Sequence, residues 1–140
     1  MDTKVTPRGI RNNNPLNIRK GSKWKGERPT QTDRAFEEFV SMEYGIRAGF
    51  IILRKYMSGY FGLTEKFNTI AKIINRWAPP IENNSKAYVE TVSKMTGIPR
   101  DQRLSFDNKK IMVDIVDAMI HVECGEGVDR SIIESAYDLV

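Results

Sequence analysis

The stretch FDNKKIMVDIVDAMIHVE, residues 106–123, constrains the possible folds more than any other part of the chain. At about 100° per residue, Met112, Val116, Met119 and Ile120 share one face, flanked by Val113 and Ile115, while Asp114, Asp117 and His121 lie opposite. A helix of this kind must be covered by other elements, so the pattern predicts a core helix from about Phe106 to Glu123, closed by Cys124-Gly125. Glu123 breaks the pattern. It falls one turn beyond Met119, on the apolar side and at the C-terminal end. Either the stripe has left the core by that point and Glu123 reaches water, or the helix end opens into a cleft with the carboxyl projecting into it. In the second case, burial and the negative helix end both favour the protonated acid. An acid still protonated at working pH is what cleavage of a glycosidic bond requires.

Helices fill most of the remaining chain. Residues 41–58 carry Ser41 as an N-cap, Glu43 in the first turn, and Ile46, Gly49, Phe50, Leu53 and Met57 at helical spacing. A shorter helix in NTIAKIINRW must stop at Ala78, because Pro79 and Pro80 cannot continue it. NNSKAYVETVSKMTG is capped by Asn84 or Ser85 and ended by Gly97, and SIIESAYDLV predicts a last short helix. Residues 8–40 are polar and rich in turns, and Gly21, Gly26 and Pro29 suit turns and short strands between Asn17 and Phe39. The expected class is therefore a mainly helical α+β domain spanning residues 1–140.

Composition narrows the function classes. One cysteine, Cys124, and one histidine, His121, make an internal disulfide impossible and a structural zinc site implausible; no metal and no cofactor are expected. No apolar run approaches the roughly 18 residues of a membrane span, and the start MDTKVTPRG lacks a signal-peptide core, so synthesis in the cytoplasm without membrane insertion is expected. A net charge of +4 favours anionic partners. Its lysines and arginines are scattered, however, with no aromatic-interleaved strand or recognition helix, so nucleic acid is not the expected partner.

Four blocks in consistent order, GIRNNNPLNIR, FEEFVSMEYGIRAGFIILRKY, IINRWAPPIENNSKAYVETVSKMTGI and IHVECG, resemble a phage and prophage group of lysozyme-like proteins, described as endolysin-type or virion-associated peptidoglycan hydrolases. The resemblance covers roughly residues 8 to 126. It implies a lysozyme-like fold, circularly rearranged relative to glucosaminidases and lytic transglycosylases, in which the acidic helix precedes the Asn-rich segment. It also implies that Glu123 is the catalytic acid, although Cys124 replaces the polar residue usual between the Glu and the Gly. By the same resemblance, the Asn-rich segment, with Arg11, Asn13, Asn14 and Asn17, lines the sugar cleft, and Tyr88 matches a tyrosine facing the acid.

Amides offer both donors and acceptors to sugar hydroxyls, and NNNP can also form a self-bonded turn. Trp77 either stacks on a sugar or packs beside the proline break, and Trp24 carries the same ambiguity. Phe36 and Phe39 read as core contacts. Asp33, Glu37 and Glu38 are available as a second carboxylate, without one standing out.

The expected function is cleavage of the peptidoglycan glycan strand, as muramidase or lytic transglycosylase, by a monomer that reaches the wall by holin release, in a virion or through a secretion apparatus. A non-catalytic virion structural or peptidoglycan-binding module of the same fold is the alternative. Glu123 is expected in the largest cleft of the molecule.

Overall fold

The structure, a computed structural model, describes residues 6–59, 65–81 and 83–140. Among them are six helices: α1 (Arg8–Arg11), α2 (Met42–Ser58), α3 (Ile70–Trp77), α4 (Ser85–Thr96), α5 (Lys109–Cys124) and α6 (Arg130–Asp138). Local chemistry sets most of their ends. Side chains of Ser41, Thr69, Asn84, Asn108 and Asp129 accept a backbone N–H from the first turn of α2 to α6 respectively. Gly59, Gly97 and Gly125 end α2, α4 and α5 in the left-handed conformation.

Helix α5 is central. It packs between α4 and α6, with α1 against it, while α2 lies on α6 and α3 on α4. Its buried face is wider than the stripe, taking in Val113, Ile115 and Ala118 together with Met112, Val116, Met119 and Ile120. It begins three residues later than Phe106 because Asn108 caps it. Phe106 is drawn instead into an aromatic cluster: its ring stacks on Tyr137 at 5.3 Å and meets Phe50 edge-on at 6.4 Å. The Tyr137 hydroxyl donates to the Phe106 carbonyl at 2.8 Å, fastening α6 to the entry of α5.

The polar segment departs from the α+β expectation. In place of short strands it holds two isolated antiparallel bridges, Arg19 with Phe36 and Glu27 with Phe39. Residues 35–40 pair first with 18–20, through Lys20 N–H to Ala35 and Glu37 N–H to Ile18. They pair next with 26–28, through Arg28 N–H to Glu38 and Val40 N–H to Gly26. The left-handed Gly26 and the donor-less Pro29 flank the second pairing and stop it from growing into a ladder. The class is accordingly mainly helical. No helix among the described residues is long and apolar enough to cross a membrane.

The segment docks on α2. A methyl group at Gly45 would collide with the Asn13 carbonyl, so glycine lets the asparagine loop lie directly on the helix. Leu16 and Ile18 then enter the core beside Phe39 and Ile46.

Candidate active site

Two distant parts of the chain converge on the Glu123 carboxyl. The Tyr88 hydroxyl, on α4, donates to Oε2 at 3.0 Å. The Asn17 amide donates to Oε1 at 3.1 Å, and also reaches the Glu123 backbone carbonyl at 3.3 Å, one of the acceptors left open at the end of α5. Next to it the Cys124 thiol donates to the Pro15 carbonyl at 3.0 Å, which gives this cysteine the anchoring role of a polar side chain. Burial, helped by Glu123 and Glu126, pushes that thiol up to about 11, so it stays a thiol. Burial, with the neighbouring Glu123 charge, raises the Tyr88 hydroxyl far above its ordinary range and keeps it a donor.

Glu123 is half-buried and lines a cleft of about 520 Å³. One wall is the loop 16–22 with Trp24 and Phe36; Ile52, Lys55 and Tyr56 of α2 form another, and Trp77 with Pro79 a third. The indole N–H of Trp24 is buried without a partner, the one such side-chain group among the described residues. Among the described residues of the lining, Glu123 is the sole carboxylate and Arg19, Lys20 and Lys55 are the cations. A depression bordered by Arg8, Arg11, Arg28 and Arg34 measures about 730 Å³.

The asparagine cluster is divided. Asn17, held in the left-handed conformation at φ 53°, reaches the cleft. Asn14 does not: it is fully buried, its amide donating to the Ile18 and Glu37 carbonyls at 2.9 and 3.0 Å while its oxygen accepts the Ile18 N–H at 2.9 Å. Asn13 donates to the Phe39 carbonyl at 3.1 Å and Asn12 to Asp33 at 3.0 Å. Arg11 borders the arginine depression and not the cleft. Expecting Arg11, Asn13 and Asn14 on the sugar wall is thus corrected, because nearby carbonyls consume the two asparagine amides. Trp77 lines the cleft beside Pro79 and also packs against the core; Tyr88 is at once a buried core residue and a donor to the acid.

None of the three acids proposed as a second carboxylate lines the cleft. Asp33 takes a two-pronged contact from Arg8, which holds it well below the usual carboxylate range. Glu38 accepts from the Thr32 and Asp33 N–H groups and the Thr32 hydroxyl, and is lowered. Glu37 is buried against Glu27; burial first, then that neighbour, pushes it up to about 7. Phe39 is a core residue, but Phe36 is half-buried on the cleft wall under two guanidinium groups, with Arg8 at 4.6 Å and Arg19 at 4.9 Å from the ring centroid. Arg19, Lys20, Phe36 and Tyr56 carry no periodic signal that marks them in the sequence as cleft residues.

No protein-family model matches the chain. Protein P5 of Pseudoalteromonas phage PM2 is 46% identical to it over 122 residues, which cover 84% of this chain and 71% of that protein. Identity of that extent, over so much of both chains, places this protein in the family of phage PM2 protein P5.

Proposed function

We propose that the protein is a lysozyme-like enzyme that cleaves the glycan strand of peptidoglycan with Glu123 as general acid. The observation that carries the reading is the carboxyl itself: half-buried at a helix end, held by Tyr88 and Asn17, and the sole carboxylate among the described residues lining its cleft. In the step proposed, Glu123 gives its proton to the glycosidic oxygen while the bond from that oxygen to the anomeric carbon breaks, the electron pair leaving with oxygen. A nucleophile must then close on the anomeric carbon. With no second carboxylate among the described residues of the cleft to activate water, a hydroxyl of the same sugar fits best, returning its proton to Glu123 and forming an anhydro product, as in a lytic transglycosylase. A relative encoded by a phage supports action on a bacterial wall during entry or release.

Digestion of purified peptidoglycan followed by mass spectrometry tests this. Anhydro sugar ends are expected from the unmodified protein, and Glu123→Gln should lower the rate by a hundredfold or more, the usual contribution of a general acid being about 10²–10⁴. Reducing ends in place of anhydro ends would make it a hydrolase. No release of fragments, or equal rates for the two proteins, would dismiss the assignment.

A further inference from the structure

Phe36 joins two basic surfaces. On one side of it Arg19 and Lys20 line the Glu123 cleft, and on the other Arg8, Arg11, Arg28 and Arg34 border the neighbouring depression. The Arg8 and Arg19 guanidinium groups both lie over its ring, which makes a continuous cationic track. The depression has acids of its own, but they face inward. The side chains of Asp33 and Glu38 are only 6% and 5% exposed and are matched to Arg8 and Arg28. Arg11 and Arg34 are exposed and take part in no ion pair among the described residues. What meets solvent is therefore a surplus of guanidinium groups beside the acid's cleft.

We propose that this arginine track binds the carboxylate-bearing substituents of an acidic glycan strand while an adjoining sugar lies at Glu123. The proposal rests on the glycan-cleaving reading above and adds to it what the enzyme recognises beyond the scissile bond. Planar guanidinium forks match carboxylates in two-point contacts, which suits a row of arginines better than it would a row of lysines. Nucleic acid fits less well. The Phe36 ring already carries the Arg8 and Arg19 guanidinium groups, which would compete with a stacking base. Because the track is open to water, its hold on a substrate should weaken with salt.

The test uses the full chain carrying Glu123→Gln, so that binding is read without cleavage. Its pelleting with purified peptidoglycan sacculi is compared with pelleting on the same sacculi after carbodiimide amidation of their carboxyls. Amidation should weaken binding roughly tenfold, the size that two exposed charge contacts give. Arg11→Glu with Arg34→Glu should cause a similar loss on native sacculi and little further loss on amidated ones. If that pair of reversals disturbs folding, Arg34→Ala reads the same contrast. Equal binding to native and amidated sacculi, or tighter binding to duplex DNA than to native sacculi at the same salt, overturns the proposal. Cleavage by the unmodified protein with charge-blind binding would spare the Glu123 assignment and remove the track; charge-dependent binding without any cleavage would do the reverse.

Discussion

At the scale of single residues, the proposed chemistry rests on which donors are left for Glu123. Tyr88 and Asn17 stand 35 and 106 positions away in sequence, and each supplies one contact to the carboxyl. Tyr88→Phe should therefore slow peptidoglycan cleavage by roughly ten- to a hundredfold while the chain stays folded, since a hydrogen bond to a charged group is worth about 1.5–3 kcal/mol; an unchanged rate would show that the tyrosine only fills the core. Asn14 makes the opposite case. Asn14→Ala removes three buried hydrogen bonds and orphans the Ile18 N–H, so we expect a loss of about 3 kcal/mol or more in urea unfolding, and no selective effect on the chemical step. In the sequence the two asparagines look alike. Their difference comes from the Glu37 carbonyl, 23 residues from Asn14, which no local pattern reveals. Glu37 gives a pH signature. Its folded value near 7 lies above the ordinary 4.5, so the folded state holds the extra proton between them. That contribution is complete below about pH 4.5 and is lost as pH rises towards 7. Asp33, which is lowered, acts in reverse: its share is present above the ordinary carboxylate value and lost in stronger acid. Urea unfolding at pH 5 and pH 8 should show the unmodified protein losing stability across this interval relative to Glu37→Gln. Parallel behaviour of the two would place the proton elsewhere.

At the scale of elements, α2 shows how packing overrides propensity. Gly45→Ala ought to favour the helix by about 1 kcal/mol on intrinsic grounds. Here the methyl group would meet the Asn13 carbonyl, and overpacking of that kind costs typically about 1–3 kcal/mol. The net expectation is a modest fall in melting temperature together with slower cleavage, because the loop that must move also carries Asn17; a stabilised, fully active variant would contradict the docking of the loop. The helices α2 to α6 were legible because their stop and start signals are contained within a few residues: Asn84 and Asn108 need only a neighbouring N–H, and Gly97 only its own backbone. The segment before α2 was not legible as its true form. Its apolar positions suggest strands, yet residues 35–40 divide their hydrogen bonds between two partners separated by a turn, so no ladder forms. The single turn α1 escaped notice for a related reason. It is four residues long, its Pro7 cap makes no side-chain hydrogen bond, and its place against α5 is set by tertiary packing.

At the scale of the whole molecule, the cleft belongs to no single element. Its walls come from the loop 16–22, from α2, from the end of α3 and from the last turn of α5, and the same residues tie into one apolar core through Leu16, Ile18 and Ala78. A ligand that fits there touches parts that must separate when the chain unfolds, so binding should stabilise the fold globally and not merely one loop. For Glu123→Gln, which on the proposed function would hold a glycan without cutting it, fragments at a hundred times their dissociation constant should add about 2.7 kcal/mol. In a chain of this length that corresponds to a rise of roughly 8 °C in the midpoint of a single melting transition. Trp77→Ala should reduce the rise at a fixed fragment concentration, since the indole forms part of a wall with Pro79. Calorimetry reads both quantities directly. A melt that splits into two transitions on adding fragments would show that the ligand grips only one part of the molecule. A midpoint that stays fixed at saturating fragment would show that this cleft does not receive the glycan, and the Glu123 assignment would then have to be abandoned.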